Sequence, residues 1–290
     1  MGVEKTFFKK TFYFMALPLG LFLTAFVLVG RSNKKAFDEL RVAPDVTTVY
    51  VGDSHVELCI DARLIPNSYS MGKNAECYYY SYFKIKSLLE NNPSVDTIYL
   101  GFSYHNLSDY YDDYVFGKFS PYLSGRYFFI MPNSERLKFL RHNSDNLSLF
   151  LRTTLRSGME NEFKGGYQPG FDHVAADPKT IDDRIDFQFY KNGKLRPFTE
   201  LNMACLDKII ALCKAQKVEL ILMNTPLAKD YLNKVPLEYR NRYEELVGKY
   251  GLPVEDFSAV AWTDSCFIPD GDHVSVMGAG MASKYLASKK

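Results

Sequence analysis

Apolar positions along this chain fall into three regimes. Residues 11–30 (TFYFMALPLGLFLTAFVLVG) carry no charge on any helical face. A surface helix of a soluble protein keeps a polar stripe, and about 20 helical residues cross a bilayer core, so this run predicts a transmembrane helix. From residue 46 the pattern changes. Short β-branched and aliphatic runs at 47–51, 68–71, 97–100, 218–223 and 253–257 predict strands. Segments 55–62, 77–89, 201–215, 237–250 and 276–288 predict helices, with Leu206, Ile209, Ile210 and Cys213 recurring at helical spacing. The first three strands each stop at a glycine, Gly52, Gly72 and Gly101. Alternation of this kind predicts an α/β fold: a doubly wound, flavodoxin-like parallel sheet of about five strands in a three-layer α/β/α arrangement. Across about 110–198 the alternation lapses into a stretch dense in Tyr, Phe and Arg. A structureless loop of roughly 90 residues is improbable in a compact domain, so this region reads as a lid-like insertion with helices of its own.

The expected organisation is a tail at 1–10, a membrane helix at 11–30, a tether at 31–45 closed by Pro44, and one α/β domain at 46–290. The segment before Arg31 shows no A-x-A-like cleavage site, which favours an uncleaved anchor over a signal peptide. Lys and Arg lie on both sides of the helix, so flanking charge gives little topology signal.

Composition narrows the chemistry. With 35 basic and 34 acidic residues the formal net charge is +1, so no global field recruits nucleic acid. The five cysteines have no CxxC spacing and read as small buried apolar groups, not as a disulfide or zinc framework. GxGxxG and GxxxxGK[ST] are both absent, so neither a nucleotide nor any other organic cofactor is implied. His105, His142 and His173 lack metal-site spacing, and no metal is expected.

Two short motifs remain. Gly52-Asp53-Ser54-His55 follows the first strand and opens a helix. In an open parallel sheet that position is the ligand-binding edge, where free backbone N–H groups can stabilise an oxyanion. Near the other end, Pro269-Asp270-Gly271-Asp272-His273 precedes the last helix. A serine nucleophile needs a base, and the base needs a carboxylate to fix its tautomer, so Ser54, His273 and Asp270 supply the required types. Asp272 is a rival orienter, but a side chain rarely folds back onto its sequence neighbour. His55 is expected to be an exposed residue of the first helical turn. The aromatics at 110–129 offer faces for a sugar, although burial is the commoner use of such residues.

In order and context these residues resemble the SGNH or GDSL-like hydrolases. Their glycine-aspartate-serine block matches Gly52 to Ser54, with the serine as nucleophile, and their Asp-x-x-His block matches Asp270 and His273. The resemblance implies an oxyanion hole built from Ser54, the N–H of Gly72, and an asparagine after the third strand. Here the chain departs from the pattern. It reads Gly101-Phe102-Ser103-Tyr104-His105-Asn106, so Ser103 stands in the asparagine position and Asn106 is an alternative donor if the loop bends back. After His273 the usual Leu-Asn is Val274-Ser275, a mild change between two good N-caps.

The anchored members of that family act on envelope polymers, which by analogy implies a single-pass protein of the cytoplasmic (inner) membrane with its catalytic domain outside. Its partners would be an acylated cell-envelope glycan or another small ester, and the membrane through the N-terminal helix. Hydrolysis and O-acyl transfer both remain open. The alternative is a non-catalytic envelope assembly or glycan-binding protein that keeps the fold, which the altered third block favours.

Overall fold

A computed structural model describes residues 2–170 and 177–289. Its first half contains α1 (Gly2–Asp38), β1 (Thr48–Val51), α2 (Ser54–Cys59), β2 (Ser68–Ser70), α3 (Tyr78–Asn91) and β3 (Thr97–Gly101). There follow α4 (Asp112–Val115), α5 (Ser120–Tyr127), α6 (Asn133–His142), α7 (Leu147–Glu160), α8 (Pro178–Phe189) and a hairpin of β4 (Tyr190–Lys191) and β5 (Lys194–Leu195). The chain closes with α9 (Glu200–Gln216), β6 (Glu219–Met223), α10 (Lys229–Lys234), α11 (Leu237–Tyr250), β7 (Val254–Glu255) and α12 (Val276–Ser288).

Five strands form one parallel sheet in the order β2-β1-β3-β6-β7. That is the expected doubly wound arrangement, and it exists because each crossover helix returns the chain to the same edge. Val49, Val51, Ile98, Leu100 and Leu222 are fully buried, as continuous apolar strands covered on both faces must be. The sheet order reverses between β1 and β3. Their carboxyl ends therefore splay apart and leave a crevice, and Ser54 and Ser103 follow these two strands directly. All five cysteines are free and buried, as expected.

Two expectations need correction. Residues 31–38 do not form a tether, because α1 continues to Asp38 and its last turns are docked. Phe26 packs on Phe129 with ring centroids 4.9 Å apart, Phe37 packs on Phe163, and buried Asn33 donates to the Gly158 carbonyl at 3.2 Å. Ser87 Oγ and Asn92 Nδ2 hold the Phe37 and Leu40 carbonyls, so the chain is tied down beyond the helix end as well. Nor is the 110–198 insertion simply a lid. Part of it, α7 backed by α5, forms the platform for α1, and Tyr110, Tyr111, Tyr127, Phe128 and Phe129 are buried in packing. The amino-terminal part of α1 behaves differently. It belongs to a stretch, Lys9–Asp38, long enough to cross a membrane and containing an 18-residue window of mean hydropathy 2.2, and Phe12, Phe14 and Leu17 are exposed along it.

Candidate active site

Asp53 caps α2 by accepting from the backbone N–H of His55 at 2.9 Å, which places Ser54 on the first turn with its side chain half-buried at the crevice. Gly52 makes this turn possible, since a Cβ there would lie 2.5 Å from Val56 Cγ2. The candidate base arrives from the other end of the chain. Ser275 caps α12 by accepting from the Gly278 N–H, and the turn before it presents His273. Ser54 Oγ lies 2.8 Å from His273 Nε2, and His273 Nδ1 lies 2.7 Å from Asp270 Oδ2. Asp270 Oδ1 also accepts from the backbone N–H of His273, so the carboxylate is held at both oxygens. Burial raises the Asp270 pKa, but the hydrogen bond and charge of His273 outweigh it and leave the group below the usual range.

Asp272 does not compete for His273. It turns into the protein, where its Oδ1 meets His55 Nε2 at 2.9 Å and its Oδ2 accepts from Arg184 Nε at 2.6 Å and Gln188 Nε2 at 2.8 Å. His55 is accordingly not an exposed residue of the first turn, contrary to expectation. It is buried between two carboxylates, Nδ1 toward Asp53 at 3.1 Å and Nε2 toward Asp272. Burial disfavours its charged form, yet Asp272 and Asp53 push its pKa up to about 10. The imidazolium is sandwiched between the rings of His273 at 4.5 Å and His105 at 4.0 Å.

The loop after β3 is tied to the same network. His105 Nε2 lies 2.8 Å from Asp53 Oδ2, and the Tyr111 hydroxyl also donates to that oxygen. Burial and the neighbouring His55 charge lower the His105 pKa, so it donates to Asp53 as a neutral ring. For Asp53, burial opposes ionisation, but the charge of His55 and the hydrogen bonds from His105 and His55 prevail and hold its pKa well below the carboxylate range.

Asn106 spends its amide inside this network. Its Nδ2 reaches Asp53 Oδ2 and the Tyr111 hydroxyl, and its Oδ1 accepts from the Ser103 N–H at 2.7 Å. It shapes the loop and has no amide hydrogen to spare for an oxyanion in this arrangement. The Ser103 hydroxyl is buried and donates no hydrogen bond among the described residues. Gly72 sits against the first turns of α2, where a Cβ would lie 2.3 Å from the Glu57 nitrogen, so only glycine fits. Its carbonyl accepts from Gly166 N at 2.8 Å, and its own N–H has no partner among the described residues.

A buried ion pair braces the Gly72 loop. Lys84 Nζ lies 2.7 Å from Glu76 Oε2 and donates to the Met71 carbonyl at 2.8 Å, while Tyr127 and Ser81 also donate to Glu76. Two groups of side chains bring three potential metal-ligand atoms within 4.8 Å: Asp53, His55 and His105, and His55, Asp272 and His273. Their carboxylates and imidazoles already satisfy one another by hydrogen bonds. Spacing along the sequence hid these clusters because their members come from separate loops. His142 lies at the end of α6 and belongs to neither cluster, and His173 falls outside the described residues. Arg184, Gln188, Tyr111 and Lys84 also escaped the sequence reading. Lys84, a lysine that directly follows the aromatic run of α3, was the one with a visible signal.

No family model and no curated protein matches the chain. Among solved structures it is similar to a Streptococcus pneumonia protein classed as a platelet activating factor, at 15% identity and TM-score 0.41, covering 95% of this chain and 98% of that one. A Bacteroides fragilis protein classed as an acylhydrolase matches at 12% identity and TM-score 0.41, over 89% of this chain and 93% of that one. A Bacteroides thetaiotaomicron GDSL-like lipase matches at 11% identity and TM-score 0.38, over 90% of this chain and all of that one (100%).

Proposed function

We propose that the chain is a serine-dependent ester hydrolase or O-acyltransferase that acts on acylated cell-envelope glycans. The observation that carries this reading is the continuous relay of Ser54 Oγ, His273 and Asp270, with links of 2.8 and 2.7 Å. In the first step His273 Nε2 takes the hydroxyl proton as Ser54 Oγ bonds to the acyl carbon, and Asp270 stabilises the imidazolium that forms. The tetrahedral oxyanion is received by the N–H groups of Ser54 and Gly72 and by the Ser103 hydroxyl, groups with no internal claim on their hydrogens. His273 then returns its proton to the departing alcohol as the C–O bond breaks, leaving an acyl-Ser54 ester. In the second step an acceptor hydroxyl loses its proton to His273 and attacks that ester, and His273 passes the proton to Ser54 Oγ as its bond to the acyl carbon breaks. The acceptor is water in hydrolysis and a sugar hydroxyl in transfer. A serine in the asparagine position of the oxyanion hole, with its shorter and single donor, favours transfer over rapid hydrolysis.

The test is a fluorophosphonate label followed by turnover of an activated acetyl ester with and without envelope oligosaccharides. Labelling is expected at Ser54 and lost in Ser54→Ala. Ser103→Ala should lower kcat by about a hundredfold, the usual cost of one oxyanion donor. Acetate release indifferent to added sugar makes the protein an esterase. A Ser54 that neither labels nor turns over any donor gives way to the non-catalytic, glycan-binding reading.

A further inference from the structure

Beyond Ser54, the carboxyl edge of the sheet carries a second concavity. A cleft of about 150 Å³ lies past the ends of β6 and β7, lined by Tyr104, Asn224, Thr225, Asp256, Phe257 and Trp262 among others. Two of the residues that line it each carry a buried polar atom that folding has left without compensation among the described residues. Thr225 is 4% exposed, and its Oγ1, like the Oδ1 of Asn224, is buried with no hydrogen-bond partner among the described residues. A buried polar atom without a partner costs about 1–3 kcal/mol, so two in one small cleft call for a ligand that supplies the missing bonds. The backbone is strained at the same place. Phe257 is held at φ 55°, a left-handed conformation that a bulky residue rarely adopts, and its ring packs against Trp262 at 6.2 Å.

We infer that this cleft is a binding subsite for one neutral pyranose ring of the substrate glycan, an inference that rests on the acyl-glycan reading above. The aromatic walls offer faces to the apolar side of a sugar, while the Asn224 oxygen and Thr225 hydroxyl pair with ring hydroxyls. No lysine or arginine lines the cleft among the described residues, and Asp256 contributes a negative charge, which disfavours phosphorylated or acidic sugars. The volume lies below the range of drug-sized pockets and suits a single ring. The cleft also abuts the catalytic loops. Tyr104 follows Ser103 directly, and the Ala228 N–H donates to the Gly271 carbonyl at 2.8 Å, joining the 224–228 segment to the turn that carries His273. Two strand spacings separate β6 from β1, so the subsite lies roughly 10 Å along the edge from Ser54, within reach of a neighbouring sugar in one chain.

The protein contains its own reporter, because Trp262 is the single tryptophan. Full-length Ser54→Ala protein in detergent is titrated with the methyl β-glycosides of glucose, galactose and N-acetylglucosamine while Trp262 emission is followed. A saturable shift is expected with at least one of them. In that background Thr225→Val should weaken binding about tenfold, the worth of one hydrogen bond, and Thr225→Ser should restore it. Since the Thr225 hydroxyl has no hydrogen-bond partner among the described residues, a merely structural role predicts no such loss. Absence of a saturable response to all three sugars, or equal binding by Thr225→Val, overturns the subsite. Fluorophosphonate labelling of the unmutated chain separates the two readings. Sugar binding without labelling removes the acyl chemistry and leaves the subsite, whereas labelling without sugar binding does the reverse.

Discussion

At the scale of single residues, the site separates two histidines that look alike in the sequence. His273 keeps one ring nitrogen for Ser54, whereas both nitrogens of His55 are bound to carboxylates. His55 therefore serves as a fixed cation that joins the Ser54 turn to the His273 turn. The sign of its effect on stability follows from linkage. Its folded pKa of about 10 lies above the unfolded value, so its contribution is complete below about pH 6.5 and is lost as pH rises through 10. Asp53 and Asp272 are shifted the other way, and what they contribute is present above about pH 4 and lost as pH falls. Chemical denaturation between pH 6 and 10 should thus show the unmutated protein losing stability more steeply than His55→Gln. Parallel curves for the two proteins would refute a charged His55.

At the scale of elements, the Gly72 loop is shaped by α3 and α5 through groups distant from the reacting atoms. Burial raises the Glu76 pKa and lowers that of Lys84, each opposed by the partner's charge. Removing one member strands the other. Lys84→Met should cost about 3–5 kcal/mol in urea unfolding, while the double change Lys84→Met with Glu76→Leu should recover much of it. A single variant as stable as the parent would show that the pair does not brace the loop. Helix α8 plays a comparable part at the other end of the crevice. Arg184 and Gln188 both bind Asp272, so part of the insertion holds the base turn in place from behind.

For the whole molecule, the continuity of α1 ties the candidate membrane span to the α/β domain. The helix leaves its apolar stretch and docks within a few turns on α7, Phe129 and Phe163, so a bilayer around residues 11–30 would lie close to the insertion. We expect the protein to stay in the membrane fraction after carbonate washing and to be released by detergent. With the domain outside the inner membrane, protease added to intact spheroplasts should digest residues 46–290. Release by carbonate, or a domain protected from protease, would count against this anchoring and orientation.

The sequence alone determined the features that depend on short-range pattern. Alternating strand and helix periods marked the parallel sheet, and α11 and α12 have the expected bounds, because each such element is encoded by apolar spacing within itself. Two compact motifs, at Ser54 and at Asp270 with His273, were legible because each sits at a strand-to-helix or turn-to-helix junction. What joins them was not legible. His55 meets Asp272 across 217 positions of sequence, Lys84 takes its charge partner across a loop, and Asn224 and Thr225, each with a side-chain oxygen unpartnered among the described residues, share a cleft with Trp262. A histidine after a serine, or an asparagine after a strand, has the same local signature whether it faces water or is buried between carboxylates. Only closure of the sheet brings the carboxyl ends of its strands to one edge, and burial there decides which groups are charged, which are satisfied and which are left for a ligand.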